Sequence, residues 1–282
     1  MPRPPMNEPT SPQALDAGLR NPAPSLLRLP RPSLRFVPIY RRNLLVWRKL
    51  AVASVLGNIA DPLITLVAFG YGLGRLLNDV QGVPYIVFLA AGSACMSTAM
   101  AASFESLYSA YSRMQVQQTW ASIMNAPVDL DDVLIAEWLW AATKGLFSGL
   151  AITAVILALG LSREPTLLAL PLVVMLTGLA FSGIGLCFNA LARGYDFFTY
   201  YFTLVITPMV FLSGVYYPRD TLPDWLAAIA SALPLAAAVD LARPLVLGQW
   251  PAQAAWRVSL LLGFALVSFG IALVLTRRRF RV

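Results

Sequence analysis

From Leu167 to Leu191 the chain runs for 25 residues without one charged side chain. Wound as an α-helix at 1.5 Å per residue, such a run is about 37 Å long, more than the ~30 Å of hydrocarbon in a bilayer. Comparable runs fall at 51–71, 84–109, 134–160, 198–216 and 256–276. Inside lipid the backbone must satisfy its own polar groups, and long apolar runs without strict alternation do so as helices. Composition agrees: 58% of the 282 residues are hydrophobic and 12% charged, with a mean hydropathy of +0.67. A water-soluble domain of that make-up would expose large apolar patches. The sequence therefore predicts an all-α integral membrane protein with six transmembrane helices.

The net charge of +7 is informative through its placement. Arg3, Arg20, Arg28, Arg31, Arg35, Arg41, Arg42, Arg48 and Lys49 precede the first apolar run, and Arg277, Arg278, Arg279 and Arg281 follow the last. Cations collect on the cytoplasmic side, so both ends read as cytoplasmic, as an even number of spans requires. The loops near 72–83, 161–166 and 217–255 then lie outside, and those near 110–133 and 192–197 inside.

Residues 1–34 carry nine of the prolines, among them Pro2, Pro12 and Pro32, and bury too little apolar surface to offset ordering entropy; they read as a disordered cytoplasmic tail. The remaining 35–282 read as one transmembrane domain. In its first stretch Phe36, Ile39, Tyr40, Leu44 and Trp47 alternate with Arg35, Arg41, Arg42, Arg48 and Lys49. That pattern suits an amphipathic N-terminal interfacial helix on anionic lipid, or an ordinary basic juxtamembrane stretch. Before the last span, 226–247 is apolar but interrupted by Pro234, Asp240, Arg243 and Pro244. It reads as a re-entrant helical element packed on the bundle, with a seventh span as the alternative.

The chemistry open to the chain is narrow. There is no histidine, and Cys95 and Cys187 each lie inside an apolar run, so no catalytic, metal or cofactor-binding residues are assigned. No G-x-x-x-x-G-K-[ST] loop is present and the only lysines are Lys49 and Lys144, so any ATP is used elsewhere. Asp61, Glu105, Glu137 and Lys144 lie in or near spans, where charge must face protein or water. Asp61, Glu105 and Lys144, with Tyr216, are candidates for a transport path; Glu137 and Lys144 could equally satisfy each other along one helix. Asp129, Asp131 and Asp132 form the densest acidic cluster and read as solvating a loop. The aromatic run Tyr195, Phe197, Phe198, Tyr200, Tyr201 and Phe202 reads as an interfacial belt or as a stacking surface for sugar rings.

One long stretch resembles a known signature. Phe211-Leu212-Ser213-Gly214-Val215-Tyr216-Tyr217-Pro218, then Pro223, Leu233-Pro234-Leu235 and Arg243-Pro244, is similar to the end of ABC type-2 permeases, within them the NodJ-like lipooligosaccharide exporters. The resemblance covers Tyr40 to Phe280. The signature residues are Ser213, Gly214, Pro218, Pro223, Pro234 and Arg243. By the same resemblance Thr119, Trp120, Ile123, Met124, Asn125 and Pro127 look like the segment that couples the membrane helices to an ATPase.

The resemblance implies a multi-pass permease in a bacterial inner membrane that works as a homodimer with two copies of a separate NodI-like ATPase and exports an amphiphilic glycolipid such as a lipo-chitooligosaccharide. ATP would be used by that partner, membrane lipid would surround the chain, and no nucleic acid is expected. An ion-coupled carrier, a membrane-embedded transferase, and export of another polysaccharide, lipid or drug remain open.

Overall fold

The computed structural model describes residues 33–77 and 79–281, without the side chains of Val55, Asn58, Ile59, Asp61 and Pro62. The tail expected over 1–34, save its last two residues, therefore lies outside the described residues, as does the side chain of Asp61. The described residues are predominantly helical. The helices are α1 (Phe36–Arg48), α2 (Ala51–Gly72), α3 (Tyr85–Val116), α4 (Thr119–Ile123), α5 (Leu130–Ala158), α6 (Leu170–Leu191), α7 (Phe197–Leu212), α8 (Asp224–Ser231), α9 (Pro234–Val246) and α10 (Ala254–Arg279). A minimal hairpin, β1 (Asp79–Val80) against β2 (Val83–Pro84), joins α2 to α3.

Four helical stretches among the described residues are long and apolar enough to cross a membrane: α3, α5, Pro165–Leu191 and α10. They match four of the six expected spans, with α3 extending past the expected end at 109 to Val116. Leu63–Arg75 and α7 are apolar but shorter. In α7 the cause is local: Ser213 and Gly214 turn the chain, and Gly214 has a φ of +77°, which side-chain-bearing residues rarely adopt. The segment expected to re-enter is a pair of helices, α8 and α9, bent through 85°. α9 has 13 residues, about 20 Å of helix, too short to span alone.

α6 is the hub, and its small residues explain how. A Cβ added at Gly178 would lie 2.8 Å from the Ala142 carbonyl oxygen of α5, at Gly183 3.2 Å from the Phe269 nitrogen of α10, and at Gly185 2.0 Å from the Ser106 Oγ of α3. Two neighbours thus approach α6 to backbone distance and α3 lays the short Ser106 side chain on Gly185, the packing mode available where lipid removes the hydrophobic drive between helices. Buried serines pair across helix boundaries: Ser97 and Ser148 Oγ are 2.7 Å apart, and Ser103 Oγ is 2.8 Å from Tyr201 Oη.

Two helices widen into π turns, α3 at Glu105–Ser109 and Ser112–Val116, and α7 at Phe202–Ile206. A π turn loosens the carbonyl ladder, and the loosened groups need partners. Asn189 Nδ2 of α6 donates to the Ser106 and Leu107 carbonyls at 2.8 and 3.3 Å, and Thr207 Oγ1 donates to the Phe202 carbonyl at 2.9 Å. In α7 the widening lies just ahead of Pro208, which has no N–H and whose ring crowds the preceding turn.

Candidate functional site

At the end of the bundle that carries α1, α4 and the last turn of α10, four charged residues meet in a buried network. Glu105 sits in the first π turn of α3, and Arg113 follows in the second. Glu137 and Lys144 come from α5. Arg113 Nη2 bridges both acids, to Glu105 Oε1 at 2.8 Å and Glu137 Oε2 at 2.5 Å, while its Nε donates to Glu137 Oε1 at 2.9 Å. Lys144 Nζ reaches Glu105 Oε2 at 3.0 Å. Glu137 and Lys144 therefore do not pair with each other; each finds its partner on α3.

Two carboxylates and two cations leave no net charge, and neutral donors fill the remaining acceptor positions. Trp140 Nε1 donates to Glu105 Oε1 at 2.8 Å, Trp120 Nε1 to Glu137 Oε1 at 3.2 Å, and Asn43 Nδ2 to the same oxygen at 3.4 Å. Glu105 and Glu137 are almost wholly buried. A buried charge is tolerated only when paired and hydrogen-bonded, and here the pairing recruits α1, α3, α4 and α5 at once. The sequence marked Glu105, Glu137 and Lys144 but passed over Arg113 and Asn43. Arg113 was legible as a cation eight residues past Glu105, but only the π turns bring it round to both acids.

α4 and the loop after it contain the expected coupling residues, and the structure divides them. Trp120 is buried and stacks on Phe280 of the chain's last turn at 6.2 Å. Thr119, Ile123 and Met124 are half-buried, and Asn125, Ala126 and Pro127 are exposed. Gln118, with φ +51°, turns the chain sharply between α3 and α4. Arg35 Nη1 holds the Pro127 carbonyl at 2.5 Å, so the loop after α4 is tied to the start of α1. Between them lies a cavity of about 450 Å³ lined by Ile39, Ser122, Ile123 and Val128 among others.

The acidic cluster is not a solvated loop. Asp129 and Asp132 form a capping box at the start of α5, each side chain accepting from the other's helix-end backbone, and Asp132 Oδ1 also accepts from Ser33 Oγ at 2.7 Å. Asp131 forms a bidentate pair with Arg277 of α10, at 2.9 and 2.5 Å. Arg279 Nη1 donates to the Asn189 and Ala190 carbonyls at 3.0 Å each, filling acceptors left open at the C-terminus of α6. No group of three or more metal-ligating side chains occurs among the described residues, and Cys95 and Cys187 are free thiols.

α1 turns its aromatic stripe onto protein: Tyr40 Oη is 3.0 Å from Thr143 Oγ1, and the Trp47 ring lies 5.9 Å from Trp140 and 5.1 Å from Phe147. A second cavity of about 500 Å³ opens beside the network, lined by Arg42, Trp47, Tyr108, Arg113, Lys144 and Tyr195 among others. Of the aromatic run at 195–202, Phe198 and Tyr201 are core residues, packed on Tyr108 and Phe188 respectively, whereas Tyr200 is exposed.

The candidate path residues are not contiguous. Glu105 and Lys144 pair, but Tyr216 lies at the opposite end of α3, its hydroxyl 3.5 Å from the Met96 sulfur and its ring near Phe69 and Phe211. The signature residues gather at that end. Ser213 Oγ donates to the Met209 carbonyl at 2.5 Å, and the Gly214 carbonyl accepts from Arg243 Nη2 at 2.5 Å. Pro218, Pro223 and Pro234 each open or precede a short helix. At Gly92 of α3 an added Cβ would come within 2.9 Å of the Val215 backbone. The signature thus encodes a turn and its docking on α3.

Residues 36–247 match the family model described as ABC-2 type transporter. The chain is 45% identical over 252 residues to "Nodulation protein J" of Rhizobium leguminosarum bv. viciae, covering 89% of this chain and 97% of that protein. It is 42% identical to "Nodulation protein J" of Rhizobium meliloti over 89% of this chain and 96% of that one. "Inner membrane transport permease YadH" of Escherichia coli is 25% identical over 63% of this chain and 71% of its own length. Such a family implies an ATPase partner in the working transporter. With its several membrane-length helices and this match across most of its length, the chain belongs to the ABC-2 type transporter family, as a multi-pass membrane subunit.

Proposed function

We propose that this chain is the permease subunit of an ATP-driven exporter in a bacterial inner membrane that moves an amphiphilic lipo-chitooligosaccharide of the nodulation-factor type outward. The observation that carries this reading is the 45% identity to a nodulation protein J across nearly the whole of both chains. In this reading the chain crosses the membrane six times with both termini cytoplasmic, α2 and α7 supplying the two shorter spans, α1 lying along the interface and α8–α9 re-entering. Two copies of the chain pair with two copies of a NodI-like ATPase, which binds the ATP.

The coupling follows from the division of labour in α4. The exposed corner just after it, Asn125, Ala126 and Pro127, offers the ATPase a contact, while Trp120 is anchored inside. A push on the corner reaches Glu137 through the Trp120 indole, and Glu137 and Glu105 share Arg113. α3 and α5 then move as packed bodies rather than bending, since close-packed interiors rearrange between discrete states. An ion-coupled carrier would use an acid free to load and unload; Glu105 and Glu137 are instead each held by a cation and an indole N–H.

The test is to co-express the chain with its neighbouring genes, purify it in mild detergent and follow export of a labelled lipo-chitooligosaccharide from inside-out vesicles. A P-loop ATPase at equal stoichiometry and ATP-dependent uptake into the vesicles are expected. Uptake driven by an ion gradient with no ATPase present would move the assignment to a carrier. ATP-driven uptake of other lipids alone would overturn the cargo and keep the mechanism.

A further inference from the structure

α1 has two sides, and the protein packs only one of them. Tyr40 and Trp47, about two turns apart, both rest against the Trp140 ring, at 6.0 and 5.9 Å. Ile39 and Asn43 are buried, and Asn43 reaches Glu137. On the other side Val37, Arg41, Leu45 and Arg48 recur every three or four residues, which aligns them along the helix. All four are exposed, as is Lys49 just beyond. The aromatic stripe that the sequence offered to lipid is thus turned onto protein, and the side left open alternates apolar and basic residues.

The charge on the open side is of one sign. No acidic residue occurs from 33 to 60. Arg41, Arg48 and Lys49 form no ion pair among the described residues, unlike Arg113, Lys144 and Arg277. Arg42, on the adjoining flank, donates to the Asn43 side chain at 3.1 Å. Three cations with no acid of their own chain within reach are available to anions outside it.

What adjoins this side sets its level. Because Tyr40 and Trp47 rest on one residue of α5, α1 crosses that helix instead of running along it. Directly after Lys49, the apolar side chains of Leu50, Val52 and Leu56 are exposed, in a stretch with no charge until Asp61. Bare apolar side chains at the start of a membrane helix belong among acyl chains, so Arg48 and Lys49 stand just short of them, at the depth of headgroups.

We propose that the open side of α1 docks on the anionic headgroups of the leaflet at the α4 end of the bundle, and that the charge of this leaflet regulates the coupling corner. The proposal rests on α2 being a membrane span and not on the cargo. Arg41, Arg48 and Lys49 lie in the headgroup layer, with Val37 and Leu45 between lipids. Each cation beside an anionic leaflet gains about fivefold in partitioning, and three together about a hundredfold. The effect reaches the interior through the packed side. Arg35, at the start of α1, holds the Pro127 carbonyl, and Asn43 reaches Glu137. A helix pinned by lipid therefore steadies both the loop after α4 and the charged network.

The full-length chain would be reconstituted in phosphatidylcholine vesicles with and without phosphatidylglycerol and followed by hydrogen–deuterium exchange. In the wild type the amides of α1 and of Asn125, Ala126 and Val128 should exchange severalfold more slowly with phosphatidylglycerol present, and high salt should abolish the difference. The triple variant R41Q/R48Q/K49Q should lose it while keeping its melting temperature, since all three side chains are exposed; R41K/R48K, which conserves the charge, should retain it. Amides of α2 should be slow in both lipids. Fast exchange there would sink the span reading, whereas a slow α2 with no lipid effect on α1, or an equal effect in the triple variant, overturns this proposal alone. Slowing of α1 without slowing of 125–128 would keep the docking surface and remove the regulation. If exchange ignores the lipid and the triple variant loses its ATPase on purification, the cations serve that protein and the proposal is wrong.

Discussion

Glu105 and Glu137 can stay charged inside the bundle because Arg113 and Lys144 are buried with them, and removing one member strands the others. Replacing Glu105 with Gln keeps the shape but strands Lys144 and leaves Arg113 with Glu137 alone, a loss of the order of 3–5 kcal/mol for a buried pair. E105Q should melt well below the wild type in detergent, read by a thiol-reactive dye as heating exposes Cys95 and Cys187. Adding K144M should restore much of the loss, since it removes the stranded cation; a double variant no better than E105Q would show that Lys144 contributes nothing. At this scale the sequence was half legible. Charge inside an apolar run singled out Glu105, Glu137 and Lys144, but helical spacing suggested the wrong partner for Lys144. The correct one depends on the crossing of α3 and α5 and on two π turns, neither of which has a sequence signature in a single chain. The acids at 129–132 were misread for a similar reason: a capping box is local, but Arg277 lies 146 residues away.

Helices that approach to backbone contact depend on having no side chain at the crossing. Changing Gly178 to Leu should force α5 and α6 apart, because even a Cβ would sit 2.8 Å from a backbone oxygen; we expect loss of monodisperse protein on size-exclusion chromatography. Gly263 of α10 meets nothing within 4 Å, so G263A should leave the elution profile unchanged. In the turn after α7, G214A faces both a positive φ and Arg219 at 3.1 Å and should destabilise by about 1–2 kcal/mol, read as a lower melting temperature. Elements were the scale at which the sequence spoke most clearly: the long apolar runs located α3, α5, α6 and α10 to within a few residues at most ends. It was silent on the π turns and on the small β1–β2 hairpin, and it overextended α7, whose apolar character continues past the Gly214 turn.

For the whole molecule, the Glu105–Arg113–Glu137–Lys144 network and the ion pairs of Asp240 with Arg219 and Arg257 lie at opposite ends of α3. In a variant lacking both native cysteines, a single cysteine at Gln117, exposed beside α4, should resist a membrane-impermeant maleimide in intact spheroplasts, whereas one at Gln249 should label. The reverse pattern would invert the proposed orientation. At the α4 end, A126R should lower stimulation of the partner ATPase severalfold with the fold intact, since Ala126 is exposed; W120A should instead lower stability by opening the core. Equal melting temperatures for W120A and wild type would remove the anchor from the coupling argument. The sequence announced this arrangement only as an excess of terminal cations, which said where the ends belong but not what they hold.

Two of those terminal cations have an occupation of their own. Arg277 fastens α10 to the first turn of α5, and Arg279 closes the carbonyl end of α6. Both come from the last turn of α10, so during synthesis α10 is not fastened to α5, nor the α6 carbonyl end closed, until residues 277–279 have been delivered. A nascent chain stopped before residue 277 would hold α3, α5 and α6 yet leave Asp131 without Arg277 and the Asn189 and Ala190 carbonyls without Arg279.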